Sequence, residues 1–209
     1  MAFTSYSALR SSIRDWAERS GLSDELVKDF VVLTESIFNY GDEPNGVHPL
    51  RTRDMETTAT VTMTSGVGAL PDDFLEAIKV KDPGSTTRDI QYAPPDWLDE
   101  NYPQGQDETY PQFYTIIGSS LYCPIDVSLT YYAQIGTITG NDGATNWLLT
   151  KAPNAYLYGG LMHYSIYAKA PEAAGAYRAL MVNAMGALQS QDDRSVAGRF
   201  ARRSSMTAR

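Results

Sequence analysis

The sequence predicts an α+β fold: a helical bundle built from N-terminal and C-terminal helices, a central antiparallel β-sheet and hairpin region, and an extended C-terminal arm. Three observations predict it. Apolar residues recur at three- and four-residue steps over about 5–40 and again over about 147–190. Between about 56 and 135 the period changes to two, interrupted by Gly, Pro and Asp. The charge then breaks near residue 194. Residues 1–193 hold all 25 acidic side chains against 12 Lys/Arg, a net −13, whereas 194–209, RSVAGRFARRSSMTAR, hold five Arg and no acid. Residues 1–193 therefore read as one domain and 194–209 as a basic flexible arm.

Taken in order, Leu9, Ile13 and Trp16 lie on one helical stripe over 5–19, with Gly21 as its stop. A second helix follows the cap residue Ser23, with Leu26, Phe30, Val31, Leu33, Ile37 and Phe38 at helical steps until Gly41. The two are expected to form an antiparallel hairpin, and 41–50, GDEPNGVHPL, to be a loop. ETTATVTMT over 56–64 alternates strictly, Ala59, Val61 and Met63 facing one way and threonines the other. Leu75–Val80 follows the turn at Pro71-Asp72-Asp73 as a partner strand, and a short helix is expected over Pro95–Asn101. FYTIIGSSLYCP reads as a hairpin turning at Gly118-Ser119-Ser120, and Val127–Ile135 continues the sheet. Helices over 147–169 and 171–190 close the fold, separated by Pro171. Gly159, Gly160, Gly175 and Gly186 fall inside them, each costing roughly 1 kcal/mol against Ala, and close helix packing is the expected reason.

Composition narrows the function. Hydrophobic residues make up 43% and charged residues 20%, an ordinary globular balance that supports a real core. Cys123 is the single cysteine, so no internal disulfide and no Cys-based metal site is expected, which suits a cytoplasmic folding environment. The N-terminus lacks an apolar run of signal type, and no run approaches the ~20 residues of a membrane span, so neither export by a cleaved signal nor insertion is expected. An acidic body argues against sequence-independent wrapping of DNA. Fourteen tyrosines suit either broad protein–protein surfaces or a sugar-binding face.

No phosphate-binding GxxxxGK[ST], dinucleotide GxGxxG, HExxH, GxSxG or calcium loop is present, so no motif-based enzyme, metal or cofactor is expected. His48 lies in a loop and His163 in a helix, too few and too far apart to suggest a metal site. The neighbouring acids Asp72-Asp73, Asp99-Glu100, Asp107-Glu108 and Asp192-Asp193 supply the residue type of a glycosidase pair, but turn residues, caps and solvated acids explain them better. A carbohydrate-binding or carbohydrate-cleaving module is the alternative they leave open. The arm has only Val196, Phe200 and Met206 as large apolar groups, and reads as a segment that orders on a partner or as a solubilising tail.

The order of segments carries more weight than any one motif. YSALRSSIRDWAERSGLSDELVKDFVVLTES, LRTRDMETTATVTM, ALPDDFLEAIKV, YPQFYTIIGSSLYCP with VSLTYYAQI, and NWLLTKAPNAYLYGGLMHYSIYAKAPEAAGAYRALMVNAM, over about 5–190, resemble the head-to-tail adaptor proteins of tailed bacteriophages. The resemblance implies a structural virion protein, not an enzyme, at the head–tail junction, made in the host bacterial cytoplasm. It implies a twelve-subunit ring beneath the dodecameric portal, a helical wall, a β-region toward a tail nozzle or tail-tube protein, and an arm inserted into the portal. Double-stranded DNA would pass through the channel without specific binding. On that reading Arg199, Phe200, Arg202, Arg203 and Arg209 bind the portal. Gly118, Ser119, Ser120, Asn141 and Asp142 are the tail contacts. A stopper or tail-completion ring is the nearest alternative position in the stack.

Overall fold

The structure is a computed structural model and describes residues 5–84, 88–107 and 109–206, the last thirteen of these by backbone alone. Two compact units emerge, one of residues 1–54 with 135–209, the other of 55–134. In chain order the elements begin α1 (Tyr6–Trp16), α2 (Asp24–Tyr40), β1 (Glu56–Val61), β2 (Val67–Ala69), β3 (Phe74–Lys81) and β4 (Asp89–Tyr92). They continue α3 (Pro95–Asn101), β5 (Phe113–Ile117), β6 (Ser120–Tyr122), β7 (Val127–Ala133), α4 (Trp147–Lys151), α5 (Pro153–Tyr167) and α6 (Pro171–Met206). The chain is thus mixed α+β, with six α-helices and a curled seven-stranded sheet among the described residues.

In the helical unit, Ser5 and Ser23 supply the caps that start α1 and α2, their hydroxyls accepting from the amides of Ala8 and Leu26. Leu9, Ile13, Val27, Val31 and Phe38 point inward and are fully or almost fully buried. Each such side chain contributes about 1.5–3 kcal/mol. Their common partner is α5, whose buried positions Tyr156, Leu157, Gly159, Gly160, Leu161 and Met162 run round the helix instead of along one stripe. A helix apolar on several sides must be enclosed. α1, α2 and α6 all pack on it, and α1 and α2 touch each other far less than either touches α5. The simple α1–α2 hairpin of the sequence reading is therefore a pair of helices docked on a third.

Close packing explains two of the four helical glycines. A Cβ at Gly159 would lie 2.2 Å from Thr34 Cγ2, and one at Gly160 2.6 Å from Ile13 Cδ1. Gly175 and Gly186 have nothing within 4 Å, so the packing reason fails for them. The helix expected over 147–169 is two helices. Ala152 precedes Pro153 and adopts φ −136°, ψ 65°, because the proline ring bars the residue before it from the helical region. At the far end, α6 is continuous to Met206, which corrects both the stop near residue 190 and the extended conformation expected beyond it. Ala and Arg are frequent there and no proline interrupts, so a helix already nucleated against α5 has no cause to stop.

In the β unit the strand order is β1-β7-β3-β4-β5-β6-β2. Every pairing is antiparallel except β4 with β5, which is parallel, with Gln91 opposite Phe113 and Tyr92 opposite Tyr114. The all-antiparallel expectation fails at this pair because the connection after β4, carrying α3, is long enough for a crossover. The β3–β7 ladder has register shifts between Phe74 and Glu76 and between Ala77 and Lys79, the local irregularities that bend a sheet. Val61, Val80, Ile90, Tyr114, Leu121, Cys123, Val127, Leu129 and Tyr131 form the core.

Candidate assembly surfaces

The β5–β6 hairpin places Gly118 and Ser119 in a two-residue turn, Gly118 at φ +61°. Glycine at the first central position is what a type II′ hairpin turn requires. Ser120 pairs with both Ile117 and Ala69, and the Ser119 carbonyl accepts from the Leu70 amide at 3.0 Å. The tip is thus stiffly held while Gly118 and Ser119 remain exposed beside Ile117, itself 49% exposed.

Asn141 and Asp142 sit in the loop between β7 and α4, in the helical unit. The loop is tied to α1: Ser7 N–H donates to the Asp142 carbonyl at 3.0 Å and Tyr6 N–H to the Ala144 carbonyl at 2.9 Å. Arg10 lies 3.2 Å from the Asp142 carboxylate and 3.3 Å from Asp24. Asn141 Oδ1 accepts from the Gly143 amide. Asp142 is therefore held by its own unit, whereas the hairpin tip presents its surface outward from the other.

The residues that fix this loop were not singled out from the sequence. Glu35 and Asn39, one turn apart on α2, are both 6% exposed. Glu35 Oε1 accepts from the Ile138 amide at 2.9 Å, and Asn39 Oδ1 from the Ile135 amide at 2.8 Å. Asn146 Nδ2 donates to the Gly136 carbonyl and to Tyr156 Oη, each at 2.7 Å, while its Oδ1 caps α4 through the Leu149 amide. The Tyr156 hydroxyl in turn donates to Glu35 at 3.3 Å. Burial pushes the Glu35 carboxyl above its ordinary range, partly offset by the Ile138 amide and the Thr137 and Tyr156 hydroxyls. Burial and the Glu35 charge likewise push the Tyr156 phenol up. The available signal was Glu35 and Asn39 lying on the buried stripe of α2, beside Thr34.

The paired acids divide among local tasks. Asp73 accepts from the Tyr131 hydroxyl at 2.7 Å, and burial, reinforced by this hydrogen bond and the Asp73 charge, raises that phenol to about 12. Asp107 accepts from the Thr109 amide. Asp192 holds the Arg53 backbone amide and Nε at 2.9 and 2.7 Å; burial pushes its carboxyl up, but the Arg53 hydrogen bonds outweigh this and hold it low. Asp99 and Glu100 are exposed on α3. His163 is half-buried on α5, and burial followed by nearby Arg178 depresses its pKa. Among the described residues no three His, Cys, Asp or Glu side chains cluster as metal ligands, and no helix is long and apolar enough to cross a membrane. The side chains of Arg199, Phe200, Arg202 and Arg203, and Arg209 entirely, lie outside the described residues.

The comparison with known families, and not the loop and hairpin geometry, gives the class: a structural adaptor protein of bacteriophages. The chain belongs to the SU10 adaptor protein family, whose model matches residues 4–204. It is accordingly a virion component that assembles with other virion proteins. No curated protein matches the chain.

Proposed function

We propose that this protein forms a ring of twelve copies that joins the portal of the phage head to the tail and lines part of the DNA channel. The observation that carries this reading is the family match over 4–204. The charge distribution supports it, since an acidic body repels the phosphate backbone and lets DNA slide where a basic wall would hold it. Subunit contacts fall to the helical unit, which exposes Trp16, Val32, Leu33, Ile166, Tyr167 and Leu180 in a single copy. Residues 1–193 act as the adaptor domain and 194–209 as the portal-binding arm.

On the portal, Arg199, Arg202, Arg203 and Arg209 pair with carboxylates and Phe200 anchors in an apolar site, the residue types enriched at interface hot spots. Twelve arms acting together hold the ring even where each binds weakly. The Gly118–Ser120 tip and the Asn141–Asp142 loop meet the tail component. Native mass spectrometry of the protein, alone and mixed with its portal, tests this. A complex carrying twelve copies, lost on removal of 194–209, is expected. A protein that stays monomeric and ignores the portal refutes the proposal.

A further inference from the structure

The β unit contains an open groove. It has two adjoining compartments, of about 300 and about 520 Å³, sharing the walls Leu98, Gly105, Gln106 and Tyr122. Tyr102 and Ile117 complete the apolar lining of the smaller one. Tyr122 and Ile117, 36% and 49% exposed, belong to the β5–β6 hairpin whose tip is the proposed tail contact. Thr115 also lines the smaller compartment; it is only 4% exposed and its hydroxyl has no hydrogen-bond partner. A buried hydroxyl left unpaired is a cost that a ligand's polar group removes.

Charge selects the ligand. Residues 89–134 hold seven acids and no Lys or Arg. Each compartment carries one carboxylate, Asp99 in the smaller and Asp126 in the larger, and neither is lined by a basic side chain; Asp126 Oδ1 accepts from the Met63 amide at 2.7 Å, which leaves its charge unpaired by any cation of the lining. A nucleic-acid phosphate is therefore repelled. The smaller compartment is lined chiefly by Pro95, Leu98, Tyr102, Ile117 and Tyr122, which favours an apolar side chain over a sugar, and its Gln106 amide is already committed. Its Oε1 accepts from the Gln112 and Phe113 amides and its Nε2 donates to the Phe113 carbonyl. An apolar slot with one waiting hydroxyl and a negative rim fits a polypeptide that is apolar at one position and basic on either side.

We propose that this groove receives an extended basic segment of the tail-side partner. One apolar side chain of the segment seats beside Tyr102 and Ile117, its backbone bonds the Thr115 hydroxyl, and its Lys or Arg groups face Asp99 and Asp126. This rests on the reading of the hairpin as the tail contact and deepens it by naming the partner's chemistry.

The test uses a labelled synthetic peptide, one Leu flanked by Lys and Arg, titrated with the full-length protein by fluorescence anisotropy. Saturable, salt-sensitive binding is expected, with none for peptides carrying Glu in the flanks or Gly in place of Leu. Asp99→Lys and Thr115→Val should each weaken it by about fivefold. Thr115→Val should leave thermal stability unchanged or higher, because it replaces an unpaired hydroxyl with a methyl group. No binding, or binding indifferent to Asp99→Lys, overturns the groove. Joining of tails to heads separates the two readings. Loss of joining on Ser119→Trp, at the exposed second turn position, but not on Asp99→Lys overturns the groove and keeps the hairpin contact; indifference to both overturns both.

Discussion

Replacing Gly159 by Ala should destabilise the helical unit although it removes a helix-weakening residue. The new Cβ would stand 2.2 Å from Thr34 Cγ2, 2.8 Å from its Oγ1 and 3.1 Å from its Cβ, against the roughly 3.5–4.0 Å of an unstrained carbon contact. Thr34 cannot swing aside freely. It is fully buried, it is β-branched, and its hydroxyl donates to the Phe30 carbonyl at 2.8 Å. Greater helix propensity contributes about 1 kcal/mol of stability. Separating α2 from α5 costs about 1–3 kcal/mol, and losing the Thr34 hydrogen bond about 1 more. The net expectation is a loss of about 1–3 kcal/mol. Gly175→Ala is the control, an exposed position of α6 with nothing within 4 Å, and should gain about 0.5–1 kcal/mol. Urea unfolding followed by helical circular dichroism reads both as midpoint shifts of opposite sign, about half to one molar for the Gly159 variant. Adding Thr34→Ala to Gly159→Ala should cost less than the two single changes together. Equal stability of the Gly159→Ala and Gly175→Ala proteins, or strict additivity with Thr34→Ala, would refute the close-contact argument.

Two further outcomes follow from the buried polar network. Glu35 has a folded-state pKa above its ordinary 4.5, so the folded chain binds the extra proton; its contribution is complete below pH 4.5 and is lost as pH rises through the raised value. Glu35→Gln cannot ionise, so its stability relative to the parent should improve as pH rises from 4.5, measured by thermal unfolding in a pH series; a gap independent of pH would contradict this. Asn146→Ala removes the α4 cap and two hydrogen bonds and should cost about 2 kcal/mol in urea unfolding, while Asn146→Asp, which keeps the capping oxygen, should lose less.

The periodic parts of this fold were legible because each element carries its own signal. Ser23, the apolar steps to Phe38 and the stop at Gly41 bound α2 within a residue or so, and Pro171 marks the start of α6. The β5–β6 hairpin announces itself through Gly118. What was missed depends on neighbours distant in sequence. β2 has three residues and β4 four, too short for a period, and both are strands only because β6, β3 and β5 pair with them. Pro153 was available but hidden within a helical pattern that continues on either side of it. The loop clamp was only half legible: Glu35 and Asn39 fall on the buried stripe of α2, but the partner that holds Glu35, the amide of Ile138, lies about a hundred residues on. Of the candidate surfaces, the exposed hairpin tip was within reach, whereas the groove beneath α3 needs α3, β5 and β6 together.

The placement of α5 has a consequence during synthesis. Its residues, 153–167, are the main surface against which α1 and α2 bury their apolar faces, yet the whole β unit is translated in between. At about 5–20 residues per second, Val27, Val31 and Phe38 wait several seconds or more on the ribosome before their partner emerges. The β unit, by contrast, is one uninterrupted stretch of chain and can fold as it appears. The last-made helices therefore complete the first-made ones, and a truncated product that stops before residue 153 exposes a sticky half-bundle that chaperones and proteases can recognise.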